Sequence, residues 1–208
     1  MDAILTAKLL ERFPFAEERA SLDHPAIKVP ADKLVEVCQV LMDEFGYSML
    51  TDSTAIDWGE EVSPRFTGIY HLFKVSGGDW IRIAADCSDD AEPVLPSLVE
   101  LFPIANWQER ETYDMFGIRY ENHPDMRRIL MWDDYPYHPL RKEFPLAGHE
   151  TELPAADVAK ASGAKVIPAP MMGGPFHAPQ TGEMSDREPR AADQSWTEKN
   201  EKPETVKD

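Results

Sequence analysis

Ile4, Leu5, Leu9 and Phe13 recur at helical spacing and Pro14 closes the run, so the first element predicted is a short helix over residues 2–12. A second follows Pro30, where Leu34, Val37, Cys38, Leu41 and Phe45 fall at i, i+3, i+4, i+7 and i+11, with Gly46 placed to end the helix in a left-handed residue. The rhythm then changes to strand-like runs over Tyr47–Ile56, Gly68–Val75 and Asp79–Ala85. Ser76-Gly77-Gly78 between the last two is hairpin chemistry and predicts antiparallel pairing. Ser88-Asp89-Asp90 supplies capping residues for a helix predicted over Pro93–Phe102, with its prolines in the first turn. Asn106 with Glu109 three residues on gives a capping-box start to a further helix, which Gly117 stops and on which Arg110 and Asp114 form an i,i+4 pair. Ile118–Tyr120 and Arg128–Met131 read as extended, separated by the turn residues Asn122-His123-Pro124.

These elements predict an α+β fold, with helices packed on one face of a small mixed or antiparallel sheet and an extended C-terminal arm. Three parts are expected: a core domain over 1–120, an interface arm over 121–147, and a tail over 148–208. From about Gly148 the chain carries scattered prolines, Gly173-Gly174 and few large apolar residues, too little to build a core of its own. The tail is either disordered or an arm that orders on a partner. The second reading has anchors in Ile167, Met171, Met172 and Phe176, which would be wasted in solvent.

Composition narrows the function classes. A net charge of −17 over 208 residues argues against nucleic acid, whose phosphates require clustered Lys and Arg. Residues 151–208 hold ten acidic and seven basic side chains, so most of the acidic excess lies on the first 150, as a solvated surface or one facing basic patches on partners. Cys38 and Cys87 are isolated, so neither a disulfide framework nor a cysteine-ligated metal is written here, and a reducing compartment is expected. The start MDAILTAKLL lacks the basic region and apolar run of a signal peptide, and no apolar run approaches the roughly 20 residues that cross a bilayer. Any membrane association is then expected to be indirect.

The densest stretch runs from Trp107 to Leu146, WQERETYDMFGIRYENHPDMRRILMWDDYPYHPLRKEFPL, where aromatics, arginines, acids, prolines and histidines alternate. Such composition is enriched at interface hot spots, and Trp107, Tyr113, Phe116, Tyr120, Trp132, Tyr135, Tyr137 and Phe144 are expected partly in water unless docked. Its blocks ERETYDMFGI (Glu109 to Ile118), HPDMRRIL (His123 to Leu130) and HPLRKEFPL (His138 to Leu146) closely resemble the family of the C subunit of bacterial respiratory complex I, the mitochondrial 30 kDa subunit family. The resemblance implies a structural subunit of a proton-translocating NADH:quinone oxidoreductase, without cofactor or catalytic residue of its own, FMN and iron–sulfur clusters lying in partner subunits. It implies a place beside the D subunit and near the B and I subunits, peripheral on the cytoplasmic face of the bacterial inner membrane. The equivalent subunit of a related membrane-bound hydrogenase-type complex is the alternative, and a free-standing enzyme using the acids and histidines of the same stretch is a third possibility.

The residues themselves favour architecture over chemistry. Glu109, Glu111, Asp114 and His123 lack the two-histidine helical spacing of zinc hydrolases, and His123-Pro124 and His138-Pro139 read as turns, since proline pushes the preceding residue to extended backbone. No nucleophile elbow and no phosphate-binding glycine loop occurs. Arg110, Arg127, Arg128, Arg141 and Lys142 concentrate positive charge on an acidic chain. They either pair within the chain or grip carboxylates and carbonyls of a neighbour, for which Arg has bidentate geometry. The candidates for contact with neighbouring subunits are therefore Glu109, Arg110, Glu111, Tyr113, Asp114, Phe116, Arg127, Arg128, His138, Arg141, Lys142, Phe144, Ile167, Met171, Met172 and Phe176.

Overall fold

The computed structural model describes residues 2–145, 148–152 and 155–166. Contacts divide the chain into two units after Glu143, so residues 121–143 fall in the first unit. In the first unit, helix α1 (Asp2–Arg12) leads to β1 (Glu17–Glu18) and β2 (Ala26–Val29). A 3-10 turn over Ala31–Lys33 then enters α2 (Leu34–Asp43), followed by β3 (Met49–Asp57), β4 (Phe66–Lys74) and β5 (Asp79–Asp86). These strands form one mixed sheet in the order β1-β2-β5-β4-β3, with β2 parallel to β5 and the β3–β4–β5 meander antiparallel. The predicted Ser76-Gly77-Gly78 hairpin forms, Gly77 and Gly78 both donating to the Lys74 carbonyl.

Register explains the core. Ile27 and Val29, Leu50 and Ala55, Phe66, Tyr70 and Leu72, and Ile81, Ile83 and Ala85 all point to one face of the sheet and join one buried cluster. Leu9 and Phe13 of α1 and Leu34, Val37, Cys38 and Leu41 of α2 complete that cluster, so the helices pack on one face as predicted. Each fully buried large apolar side chain contributes about 1.5–3 kcal/mol relative to exposure, which makes this face the main source of stability.

Beside the two-residue β1, three differences from prediction occur. The local pattern does not predict β2, although Ala26, Ile27 and Val29 lie between Pro25 and Pro30. The helix predicted over 93–102 is instead β6 (Val94–Pro96) followed by turns. Prolines at 93 and 96 push Glu92 and Leu95 toward extended backbone, and that restriction outweighs the capping signal before them. β6 pairs in parallel with β7 (Arg119–Glu121), which follows α3 (Ala105–Phe116). The third difference is over Arg128–Met131, where the Asp114 carboxylate takes the backbone donors that a strand would need. The second unit holds a two-residue ribbon, β8 (Thr151–Glu152) with β9 (Lys165–Val166), and the seven-residue α4 (Ala156–Ser162), which buries none of its residues. No helix among the described residues is long and apolar enough to cross a membrane.

Candidate functional site

The signature stretch is built around α3. This helix ends where predicted, at Gly117, which takes φ 81°. A β-carbon there would also lie 2.5 Å from Arg141 Nη2 and 2.7 Å from His138 Nε2, so glycine is required by backbone conformation and by space. The start is different from prediction. Ile104 precedes the helix without a side-chain cap, and Glu109 turns away from the N-terminus to accept hydrogen bonds from the Leu98 N–H and the Ser97 hydroxyl, each at 2.7 Å. Glu109 has no exposed surface, and burial pushes its carboxyl up to about 7. It ties α3 to the turn after β6.

The predicted Arg110–Asp114 pair does not form. Asp114, fully buried, accepts from the backbone N–H groups of Ile129, Leu130 and Met131 at 3.0, 2.7 and 2.8 Å with one oxygen, and from Arg128 with the other. Burial by itself would raise this carboxyl; three backbone donors and Arg128 outweigh it and hold it below the ordinary carboxylate value. The three N–H groups that would have made a strand over Arg128–Met131 are spent on one carboxylate, which is why that strand is absent. Arg128 further donates to the carbonyls of Asp114, Tyr135 and Tyr137, at 3.1, 2.6 and 3.1 Å. Arg110 holds the carbonyls of Arg127 and Arg128, both at 3.2 Å, and its guanidinium sits 5.5 Å from the Trp107 ring.

The remaining basic residues finish the same construction. His138 donates from Nδ1 to the Asp114 carbonyl at 3.0 Å and meets Tyr113 edge-on, and burial, with Arg141 and Arg128 nearby, pushes its pKa down. Arg141 donates to the Phe116 carbonyl at 2.6 Å and covers the Phe66 ring. The backbone N–H of Lys142 reaches Asp57 Oδ2 at 2.8 Å, the same carboxylate that Arg65 clasps with two bonds of 2.8 Å, and Arg65 also meets Glu143. Burial opposes ionisation of Asp57; Arg65 and the N–H groups of Lys142 and Gly59 overcome it, and its pKa falls to about 2. Asp57 ends β3 and Arg65 immediately precedes β4, so the two meet only because those strands pair. Nothing local in the sequence marks them, and sequence reasoning misses both for that reason.

Most of the signature's aromatics are therefore not an exposed surface. Phe116, Tyr120 and Tyr135 are buried, and Trp132, Tyr135 and Tyr137 pack edge to face at 4.5 and 5.7 Å. What faces outward is Ile104, Trp107, Leu130 and Leu140, each about half exposed or more, with Glu111, Arg127 and Lys142. Arg127 pairs with Asp125 at 2.9 Å. Phe144 opens the second unit, against His149. Ile167, Met171, Met172 and Phe176 lie outside the described residues. Among the described residues no three His, Cys, Asp or Glu side chains are grouped to hold a metal.

Residues 27–150 match the family described as respiratory-chain NADH dehydrogenase, 30 Kd subunit. The NADH-quinone oxidoreductase C subunit of Moorella thermoacetica is 42% identical over 139 residues, 67% of this chain and 92% of that one. That of Geobacter sulfurreducens is 37% identical over 147 residues, covering 70% and 90%. A fused C/D subunit of the NADH-quinone oxidoreductase of Sulfurihydrogenibium sp. is 40% identical over 151 residues, and there the match spans 71% of this chain but only 26% of the relative. Two solved structures share the fold at 25% identity. One is the trypsin-resistant fragment (1-134) of Nqo5, with TM-score 0.50, 60% of this chain and 99% of that fragment. The other belongs to a membrane-bound sulfane sulfur reductase, an archaeal respiratory membrane complex, with TM-score 0.59, 78% of this chain and 91% of that one.

Proposed function

This chain belongs to the respiratory-chain NADH dehydrogenase 30 kDa subunit family, and from that premise we propose that it is the C subunit of a proton-translocating NADH:quinone oxidoreductase, a structural subunit of the hydrophilic arm. It contributes no catalytic residue and carries no cofactor; FMN and the iron–sulfur clusters belong to other subunits. The observation that carries this reading is the use of the signature's ionisable groups. Asp114, Arg110, Arg128, Arg141 and His138 are all engaged in holding backbone carbonyls and N–H groups of their own chain, leaving none of them poised for proton or hydride transfer. A stretch so constructed is a rigid pedestal, and rigidity is what a bracing subunit supplies.

The D subunit is the chief partner in this reading, supported by the relative in which C and D are named as one protein. The B and I subunits are further neighbours, and the membrane is reached through the complex from the cytoplasmic face of the bacterial inner membrane. The outward set of Ile104, Trp107, Leu130 and Arg127 combines apolar, aromatic and guanidinium groups, the composition of a contact surface. The likeness to the sulfane sulfur reductase supports an equivalent role in related membrane complexes, but the relatives near 40% identity are named NADH-quinone oxidoreductase subunits, which favours the respiratory assignment. The test is affinity purification of the tagged chain from mild-detergent membranes. The expected result is co-recovery of the other oxidoreductase subunits, while the chain alone binds no flavin, iron or zinc and reduces no quinone with NADH. Recovery without those subunits, or stoichiometric flavin or metal surviving gel filtration, overturns the reading.

A further inference from the structure

Tyr70 is fully buried on β4, and its ring is held where it lies. Gly68, two residues earlier on the same face of that strand, lets the ring settle back along the backbone. A β-carbon at Gly68 would stand 3.0 Å from Tyr70 Oη and 3.2 Å from its Cε2, with Leu95 Cδ1 of β6 at 2.6 Å. In so tight a setting the ring does not swing, and its hydroxyl must find a partner in place. Tyr120 of β7, 4% exposed, brings a second phenol to the same part of the core. Neither hydroxyl has a hydrogen-bond partner among the described residues.

Polar groups nevertheless surround both. Tyr70 has Tyr120, the Glu109 carboxyl and the thiols of Cys38 and Cys87 near enough to act on its ionisation. Tyr120 has the same carboxyl, the Thr112 and Tyr70 hydroxyls and Cys87. Glu109 and Thr112 lie three residues apart on one side of α3, and both are buried. Their remaining bonding capacity is complementary to that of the phenols. Thr112 Oγ1 spends its proton on the Gln108 carbonyl at 2.8 Å and keeps lone pairs. Glu109 Oε1 takes the Leu98 N–H and Oε2 the Ser97 hydroxyl, each at 2.7 Å, and each oxygen can accept once more. Burial pushes both phenols well above their ordinary range, so they stay protonated and are donors. The thiols are weak acceptors and do not satisfy them.

A buried hydroxyl without a partner forfeits the bond it makes to solvent in the unfolded chain, and native interiors seldom leave such groups unsatisfied. We propose that Tyr70, Tyr120, Thr112 and Glu109 form a binding site for one internal water molecule. The water accepts from the two phenols and donates to Thr112 Oγ1 and the Glu109 carboxyl. A buried water typically makes about three hydrogen bonds, and each of these four side chains has capacity for one. It thereby joins β4, β7 and α3 at a single point inside the first unit. Since all four side chains are buried, the water exchanges with solvent only when this part of the core opens.

Crystallography of the full-length chain, at a resolution that shows ordered water, tests this directly. One water within hydrogen-bonding distance of both Tyr70 Oη and Tyr120 Oη is expected. A direct bond between the two hydroxyls, protein atoms as their partners, or no ordered water bonded to both overturns the inference. Oxygen-17 relaxation dispersion of the solvent signal gives an independent reading, because only water held longer than the chain takes to tumble contributes. Tyr120→Phe combined with Thr112→Val removes a donor and an acceptor while keeping both shapes, and is expected to lower the amplitude by one water. Thr54→Val, at an exposed position on β3, is expected to leave it unchanged. A double variant with the wild-type amplitude and an intact fold by circular dichroism overturns the site, as does an equal loss in Thr54→Val.

Discussion

Asp114 shows how one side chain can stand in for a secondary-structure element. Its carboxylate satisfies three successive backbone donors and one guanidinium, so the loop from Ile129 to Met131 is fixed without any ladder. The consequence is a steep cost of changing either partner. Asp114→Asn keeps the shape but removes the charge, leaving Arg128, 9% exposed in its side chain, as an unpaired buried cation. Breaking such a pair costs about 3–5 kcal/mol. Denaturant unfolding of the isolated chain is expected to show that loss for Asp114→Asn and for Arg128→Ala alike; a native midpoint for Arg128→Ala would mean that its partner lies on another subunit. The sequence context of Arg128 leaves internal pairing and pairing across a subunit boundary both open, and the geometry places its carboxylate on its own chain.

At the level of elements, α3 is held to the sheet by polar contacts as well as by packing. Glu109 anchors it to the Ser97–Leu98 turn, and its carboxyl, ordinarily near 4.5, is pushed to about 7 by burial. The folded chain therefore binds more protons at this site than the unfolded chain between those values, and stability falls as pH rises through that window. The effect is on the order of 3 kcal/mol. Asp57 acts in the opposite sense: with a pKa of about 2 its contribution is complete above the unfolded value of 3.8 and is lost as pH falls toward 2. Unfolding measured at pH 2.5, 5 and 8 is expected to show Glu109→Gln removing the loss between pH 5 and 8 while leaving the loss between pH 5 and 2.5 unchanged. If the wild type and the variant keep a constant difference across that range, Glu109 does not titrate within it. The same helix illustrates what local signals can and cannot specify. Its Gly117 terminus follows from residues within one turn, whereas the partner of Glu109 lies eleven residues back along the chain and overrides the capping-box-like start that the sequence shows.

For the whole molecule, every described residue of the buried cluster and every described side chain packed on it lies at or before Met131, and the clasp of Asp57 by Arg65 and the Lys142 N–H closes the first unit. A chain ending at Glu143 is therefore expected to unfold cooperatively with the near-ultraviolet circular dichroism of the full chain. One ending at Asp125 leaves Asp114 without Arg128 and Asp57 without Lys142, at a cost on the order of 3–5 kcal/mol for the first of these. If the chain ending at Glu143 is itself molten, the second unit contributes to the core. By itself the sequence determined the helices α1, α2 and α3, the β3–β4–β5 meander, the α+β class and, through its three signature blocks, the family. Each rests on local periodicity, on a turn residue such as Gly117, or on residues contiguous in the chain. Only the tertiary structure decided that β2 joins parallel to β5, that β6 pairs in parallel with β7, and that Asp114 belongs to Arg128 and not to its helical neighbour Arg110. The physical reason is the same in each case. A buried hydrogen-bonding group must find a partner wherever the fold brings one, and that partner is chosen by distance in space, which the order of residues along the chain does not record.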